Sequence, residues 1–198
     1  MKFLTFVDLH EDKKALKELV KRASQNDIEF VVCAGDLTEF GRSLRYVLKQ
    51  FNNIGKKVYI IPGNHESDRM FKEVLADYPN CINFNHKAFR IGNYVFLGYG
   101  EGGFSVQDQE FRKLSREWYG KYKNDKIILV THGPPFSTDA DLLEDHHVGN
   151  KDFRKFIERI KPKLAICGHI HETAGANSKI GKTPVINPGW EGMVIELS

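Results

Sequence analysis

Apolar runs of strand length alternate with segments of helical period through the first half of the chain: KFLTFVD, DKKALKELVKRAS, EFVVCAGD, RSLRYVLKQFNN, KKVYIIPGN and SDRMFKEVLADY. That order predicts βαβαβα. Leu16, Leu19, Val20 and Ala23 recur at three-to-four spacing, which puts one buried stripe on the first helix. The strands are continuous apolar runs, as expected of a mostly parallel sheet covered on both faces. Near 81–99 the stretch CINFNHKAFRIGNYVFLGY carries a Gly92-Asn93 turn between two β-rich pieces, the pattern of an antiparallel hairpin. A helix over roughly 108–122 follows. Then come the strand KIILVTH, a polar loop with prolines, a helix near 150–160, the strand KLAICGH and β-rich pieces through IELS. No repeat, low-complexity tract or linker divides the order, so a single domain over 1–198 is expected, its two α/β halves sharing one core.

Composition narrows the class without changing it. The 198 residues, 41% hydrophobic and 12% aromatic, suffice for a sizeable core. Lys+Arg 29 against Asp+Glu 26 leaves +3, with the charges scattered. No basic track points to nucleic acid, and the charge bears on solubility. An acid follows MKFLTFV too soon for a signal peptide, and no apolar run reaches transmembrane length. Cys33, Cys81 and Cys167 lie far apart with no C-x-x-C pair, which suggests reduced thiols in a cytoplasmic protein with no membrane partner and no cysteine metal site.

The chemistry sits where the predicted strands end. In an open α/β sheet, ligands bind beyond the carboxyl ends of the strands. Here those exits read Asp8-Leu9-His10, Gly35-Asp36, Gly63-Asn64-His65-Glu66, Thr131-His132-Gly133 and Gly168-His169-Ile170-His171. Five of the eight histidines occupy them. Residues two apart on an extended strand end point to one side, so Asp8 with His10, and His169 with His171, can each supply paired ligands. Imidazole nitrogen mixed with carboxylate oxygen suits Mn, Fe, Zn or Ni better than Ca or Mg. The seven candidate ligands, Asp8, His10, Asp36, Asn64, His132, His169 and His171, are too many for one ion with a catalytic opening. They suit two divalent transition-metal ions, with Asp36 on the middle strand as the best bridge. Such a pair clamps the attacking and leaving oxygens of an in-line phosphoryl displacement and generates hydroxide near neutral pH, which predicts phosphoester hydrolysis. Two divalent ions on two carboxylates leave a charge of about +2, a trap for an anionic phosphate.

Taken in order, these blocks resemble the calcineurin-like metallophosphoesterases. GDLTEFG, GNHE, HGPP, HHVGN, KPKLAICGHIHE and INPG carry a narrower resemblance, to the small metallophosphoesterase-domain proteins typified by brain phosphodiesterases. The resemblance implies a four-layer α/β/β/α sandwich of two mixed sheets flanked by helices. It assigns Asp8, His10, Asp36 and His171 to one metal, and Asp36, Asn64, His132 and His169 to the other. It makes His65 the catalytic residue, stabilising the phosphate or protonating the leaving oxygen. The expected activity is hydrolysis of small phosphodiesters, cyclic nucleotides included, by direct attack of a metal-bridging hydroxide, with manganese among the expected metals. Phosphomonoester hydrolysis and a non-catalytic metal-binding scaffold are the alternatives, and the intact ligand set favours an enzyme. Asn64 is expected beside the substrate as well.

Unlike the phosphoprotein phosphatase branch, no second aspartate follows Gly35-Asp36 to orient His65. Glu39, Glu66 and Asp68 are available but read first as surface acids. The loop HGPPFSTDADLLEDHHVGN is expected to form the substrate lip, with His146 and His147 reaching the substrate. In the same loop Asp139, Asp141, Glu144 and Asp145 read as a solvated acidic edge.

Overall fold

In the computed structural model, which describes residues 1–101 and 103–197, the predicted alternation takes shape as two sheets. The elements in chain order are β1 (Lys2–Phe6), α1 (Lys13–Ala23), β2 (Phe30–Cys33), α2 (Leu44–Asn52), β3 (Val58–Ile60), α3 (Asp68–Val74), β4 (Cys81–Asn83), β5 (Lys87–Ile91) and β6 (Tyr94–Tyr99). They continue as α4 (Gln109–Tyr122), β7 (Lys126–Thr131), β8 (Leu142–Leu143), β9 (His146–His147), α5 (Lys151–Ile160), β10 (Leu164–Ile166), β11 (Asn177–Ile180), β12 (Thr183–Ile186) and β13 (Met193–Glu196).

The first sheet runs β13-β1-β2-β3-β4, parallel except for β13. The second runs β11-β12-β10-β7-β6-β5, with a parallel centre and antiparallel edges. The hairpin at Gly92-Asn93 joins β5 to β6 as expected. Residues Cys81–Asn83, however, leave that hairpin and pair in parallel with β3 on the other sheet.

Three apolar layers make the fold four-layered. Leu4, Phe6, Val31 and Ile60 face α1 and α2 through Leu16, Leu19, Val47 and Phe51. Between the sheets, Phe3, Val32, Phe96, Ile128, Val130 and Ile166 form the central layer, where Phe3 of β1 meets Phe96 of β6 edge to face at 5.6 Å. On the far side Val95, Leu129 and Ala165 face α4 and α5 through Phe111, Trp118, Phe153 and Phe156. Burial of each such aromatic ring stabilises the fold by about 1.5–3 kcal/mol. The result is the expected α/β/β/α sandwich of two mixed sheets. Within it, β1, β2, β3, β7 and β10 run so that their carboxyl ends gather at one edge. Among the described residues no helix is long and apolar enough to cross a membrane.

Candidate metal centre

All five strand exits converge. Asp8, His10 and His171 form one group of potential ligands, Asp36, His132 and His169 a second, and His10, Asp36 and His65 a third, with the ligand atoms in each group within 4.8 Å of one another. His169 and His171 therefore leave the end of β10 toward different groups. Asp36 connects them: its Oδ2 lies 3.7 Å from His10 Nε2 and 3.3 Å from His132 Nε2. Asn64 Oδ1 reaches His132 Nε2 at 3.0 Å, so Asn64 also borders the second group.

The reason these side chains share a side is not the alternation of an extended strand. The strands stop at Phe6, Cys33 and Ile166, and Asp8, His10, Asp36 and His169 lie beyond them with φ of 53°, 43°, 52° and 72°. This left-handed backbone suits Asp, Asn and His better than other side chains, and strain of this kind clusters at functional sites. His171 opens a single 3-10 turn, His171–Thr173. Buried Asn187, from the INPG stretch, braces that turn by donating to the Ile170 carbonyl at 3.1 Å and to Thr173 Oγ1 at 3.0 Å. Gly63 is required by contact, since a Cβ there would strike Asp36 Oδ1. Gly168 likewise keeps the chain clear of Val7 and Asp8, while Ile170 is buried in the core.

Hydrogen bonds orient the rings. Asp8 Oδ2 accepts from the His169 backbone N–H at 2.9 Å, and Asp36 Oδ1 accepts from the His65 backbone N–H at 3.0 Å. His132 Nδ1 lies 3.0 Å from the Ala34 carbonyl, which sets Nδ1 as the protonated nitrogen and turns Nε2 inward. Glu66, expected at the surface, is buried. It accepts from the Thr38 backbone N–H and hydroxyl at 2.7 and 2.8 Å, tying the loop after β2 to the loop after β3. Burial, reinforced by the Asp36 charge, pushes its carboxyl up to about 7.

The donor set fits a divalent cation. Asp8 Oδ1 and His169 Nε2 are buried without a hydrogen-bond partner, and His10 Nε2 faces His171 Nε2 at 3.0 Å. Unpaired polar atoms of this kind cost about 1–3 kcal/mol each unless something satisfies them. Electrostatics agree: burial and the neighbouring His132 hold the His169 imidazole down to about 4, so it stays neutral and able to ligate. Burial resists protonation of His132, but Asp36, Asp8 and the Ala34 carbonyl outweigh it and raise the ring to about 9. The reciprocal attraction, against burial, draws Asp36 down to about 2.

Some residues lie where the sequence did not lead. Glu39, read as a surface acid, sets Oε1 2.9 Å from His10 Nδ1 and Oε2 3.2 Å from His65 Nδ1. Neither nitrogen is aligned for a hydrogen bond, so these are contacts of charge and proximity. Asp68 instead accepts from the Asn83 amide at 2.7 Å. Asp141 departs from the expected solvated edge: it is fully buried, accepts from the backbone N–H groups of Ser137, Thr138 and Gly149, and lies 2.8 Å from His147 Nδ1. His146 and His147 sit exposed on β9, whose partner β8 packs against the turn carrying His171. Among the described residues neither makes a hydrogen bond or ring contact with the ligand groups. The only local hint of Glu39 is its position three residues after Asp36, and nothing local marks Asp141.

Residues 1–173 match the family model of the calcineurin-like phosphoesterases. An uncharacterized protein of Methanocaldococcus jannaschii is 32% identical over 95% of this chain and 88% of its own length. A protein of Arcobacter nitrofigilis described as a probable glycerophosphodiester phosphodiesterase is 23% identical over 74% of this chain. Human metallophosphoesterase domain-containing protein 1 is 26% identical over 80% of it. The matched region spans only 58% and 59% of those two relatives. Among solved structures, that of TT1561 from Thermus thermophilus superposes with a TM-score of 0.77 at 15% identity, covering 96% of this chain and 90% of the other, a likeness of fold.

Proposed function

The chain belongs to the calcineurin-like phosphoesterase family, whose members are metal-dependent phosphoester hydrolases, and we propose that it hydrolyses small phosphodiesters at a two-metal centre. The observation that carries this reading is Asp36, whose Oδ2 faces both groups of ligands at 3.7 and 3.3 Å. Asp8, His10, Asp36 and His171 would hold one ion, and Asp36, Asn64, His132 and His169 the other. Divalent ions so placed supply Lewis-acid charge for the phosphoryl oxygens and a hydroxide nucleophile near neutral pH.

The remaining chemistry belongs to the chain. His65 borders the first group without being needed to complete it, so its imidazole is free to protonate the leaving oxygen. Its backbone N–H is tied to Asp36 Oδ1, and its Nδ1 faces Glu39. Nε2 is then the nitrogen left for proton transfer. Cyclic nucleotides belong among the candidate diesters, and the glycerophosphodiester phosphodiesterase description of one relative supports the choice of diesters over monoesters.

Metal-stripped protein reloaded with Mn, Fe, Ni or Zn is tested on bis-(p-nitrophenyl) phosphate, p-nitrophenyl phosphate and cyclic nucleotides. Metal-stimulated turnover that favours the diesters is expected. Preference for the monoester would move the reading to a phosphatase, and metal binding without turnover of any ester would move it to a scaffold. His65→Ala is expected to retain its metal and lose about 10²–10⁴-fold in kcat, the usual contribution of a positioned proton donor. Full activity in that variant would remove His65 from the mechanism.

A further inference from the structure

The floor of the site is polar, but its rim is not. Phe40 and Phe104 are the most exposed large apolar residues described, at 72% and 61%, and each lays its ring against a site histidine. Phe40 stacks on His65 with centroids 4.3 Å apart and 29° between planes. Phe104 meets His169 at 4.5 Å and 62°. Phe40 lies in the loop between β2 and α2 of one sheet, and Phe104 in the loop between β6 and α4 of the other. One ring therefore stands beside each of the two ligand groups that share Asp36.

Packing does not account for these positions. A core phenylalanine is buried, whereas these two keep most of their surface in water. Phe40 is moreover held at φ 52°, a conformation that bulky side chains rarely adopt and that persists only where its surroundings impose it. Val106, in the loop of Phe104, and Leu142 on β8 are also exposed. A phosphoryl group alone needs only the charged floor. Exposed rings beside it add binding for a flat partner, because aromatic faces and edges recognise other rings with little regard to their substituents.

We propose that Phe40 and Phe104 form the walls of a subsite for a planar aromatic substituent, an aryl or nucleobase group, carried by the phosphoryl substrate. The position of the phosphate in this proposal rests on the phosphoesterase reading above. His65 and His169 would then each have one edge turned to the centre and one face or edge covered by a phenylalanine that also meets the substituent.

Calorimetry on the metal-loaded protein with phenylphosphonate and methylphosphonate isolates the ring, since the two share an anionic head. The wild type is expected to bind phenylphosphonate about tenfold more tightly, the scale of one aromatic pair. In Phe40→Ala and in Phe104→Ala that ratio should fall to about threefold or less, and Phe→Trp at either position should restore it. Equal affinities in the wild type, or a ratio that survives either alanine substitution, would overturn the subsite. Weakening of both phosphonates in equal proportion would overturn it too, because it would mean that the rings act by holding His65 or His169. Turnover of phenyl p-nitrophenyl phosphate is measured in parallel. Ring-selective binding without turnover sinks the diesterase reading and leaves the subsite standing, and turnover without ring selectivity sinks the subsite alone.

Discussion

Glu39 lies 3.2 Å from Nδ1 of His65 through one carboxylate oxygen while the other lies 2.9 Å from Nδ1 of His10. One side chain thus joins the proposed proton donor to a proposed metal ligand. The contact is one of charge and proximity rather than an aligned hydrogen bond, and loss of an outer carboxylate beside a ligand imidazole costs about 10–100-fold in activity or metal affinity. Glu39→Gln keeps the shape and removes the charge. It is expected to lower kcat within that range, and to do so more for phenyl than for p-nitrophenyl esters, because the poorer leaving group depends more on protonation. Steady-state rates on the paired esters check this, and an equal loss on both would leave Glu39 acting on His10 alone.

Asp36 is the side chain proposed to serve both ions. Asp36→Asn retains an acceptor for the His65 backbone N–H but removes the charge facing His10 and His132. Affinity for both ions should fall by more than the roughly 10–100-fold that loss of an outer partner costs. Metal analysis after equilibrium dialysis reads this directly. Two ions still bound at wild-type affinity would argue against a shared carboxylate.

Metal uptake should release protons in a defined pH window. Without an ion, His132 is held protonated up to about 9 by the carboxylates that outweigh its burial, whereas His169 is already neutral above about 4. If His132 ligates as proposed, an ion entering at pH 7 displaces its proton, and metal affinity should weaken as pH falls below about 9. The release contributed by this ring should fade as pH rises through about 9. Titration calorimetry in buffers of different ionisation enthalpy counts the protons, and zero release at pH 7 would contradict the assignment of His132 Nε2.

Gly168 is a question of space. A Cβ there would strike the Val7 side chain and come to 2.9 Å from Asp8 Oδ2, so Gly168→Ala should destabilise the protein by about 1–3 kcal/mol, the cost of overpacking a tight core. Gly120 in α4 has nothing within 4 Å of the same position, and Gly120→Ala should stabilise by about 0.5–1 kcal/mol through helix propensity. Thermal unfolding of both variants separates the two. A Gly168→Ala protein as stable as wild type would mean that Val7 and the turn at His169 can give way.

Local pattern was enough for the order of strands and helices, for the turn at Gly92-Asn93 and for the residue types at the five strand exits, because period, caps and turn chemistry are properties of neighbours in sequence. The resemblance carried by those exits also anticipated the sandwich. Tertiary structure decided what depends on strand order and crossover. It moved Cys81–Asn83 to the first sheet and replaced an expected strand pleat at Asp8 and His10 with left-handed loop backbone. It buried Asp141 under a ring of backbone donors, and it brought Glu39 to His65, 26 positions along the chain, and Phe104 to His169 from separate loops. Contacts of that kind have no period. An acid six residues past a strand end looks the same in sequence whether it meets water or an imidazole, and only the parallel stacking of β1, β2, β3, β7 and β10, which delivers five loops to one edge, determines which it meets.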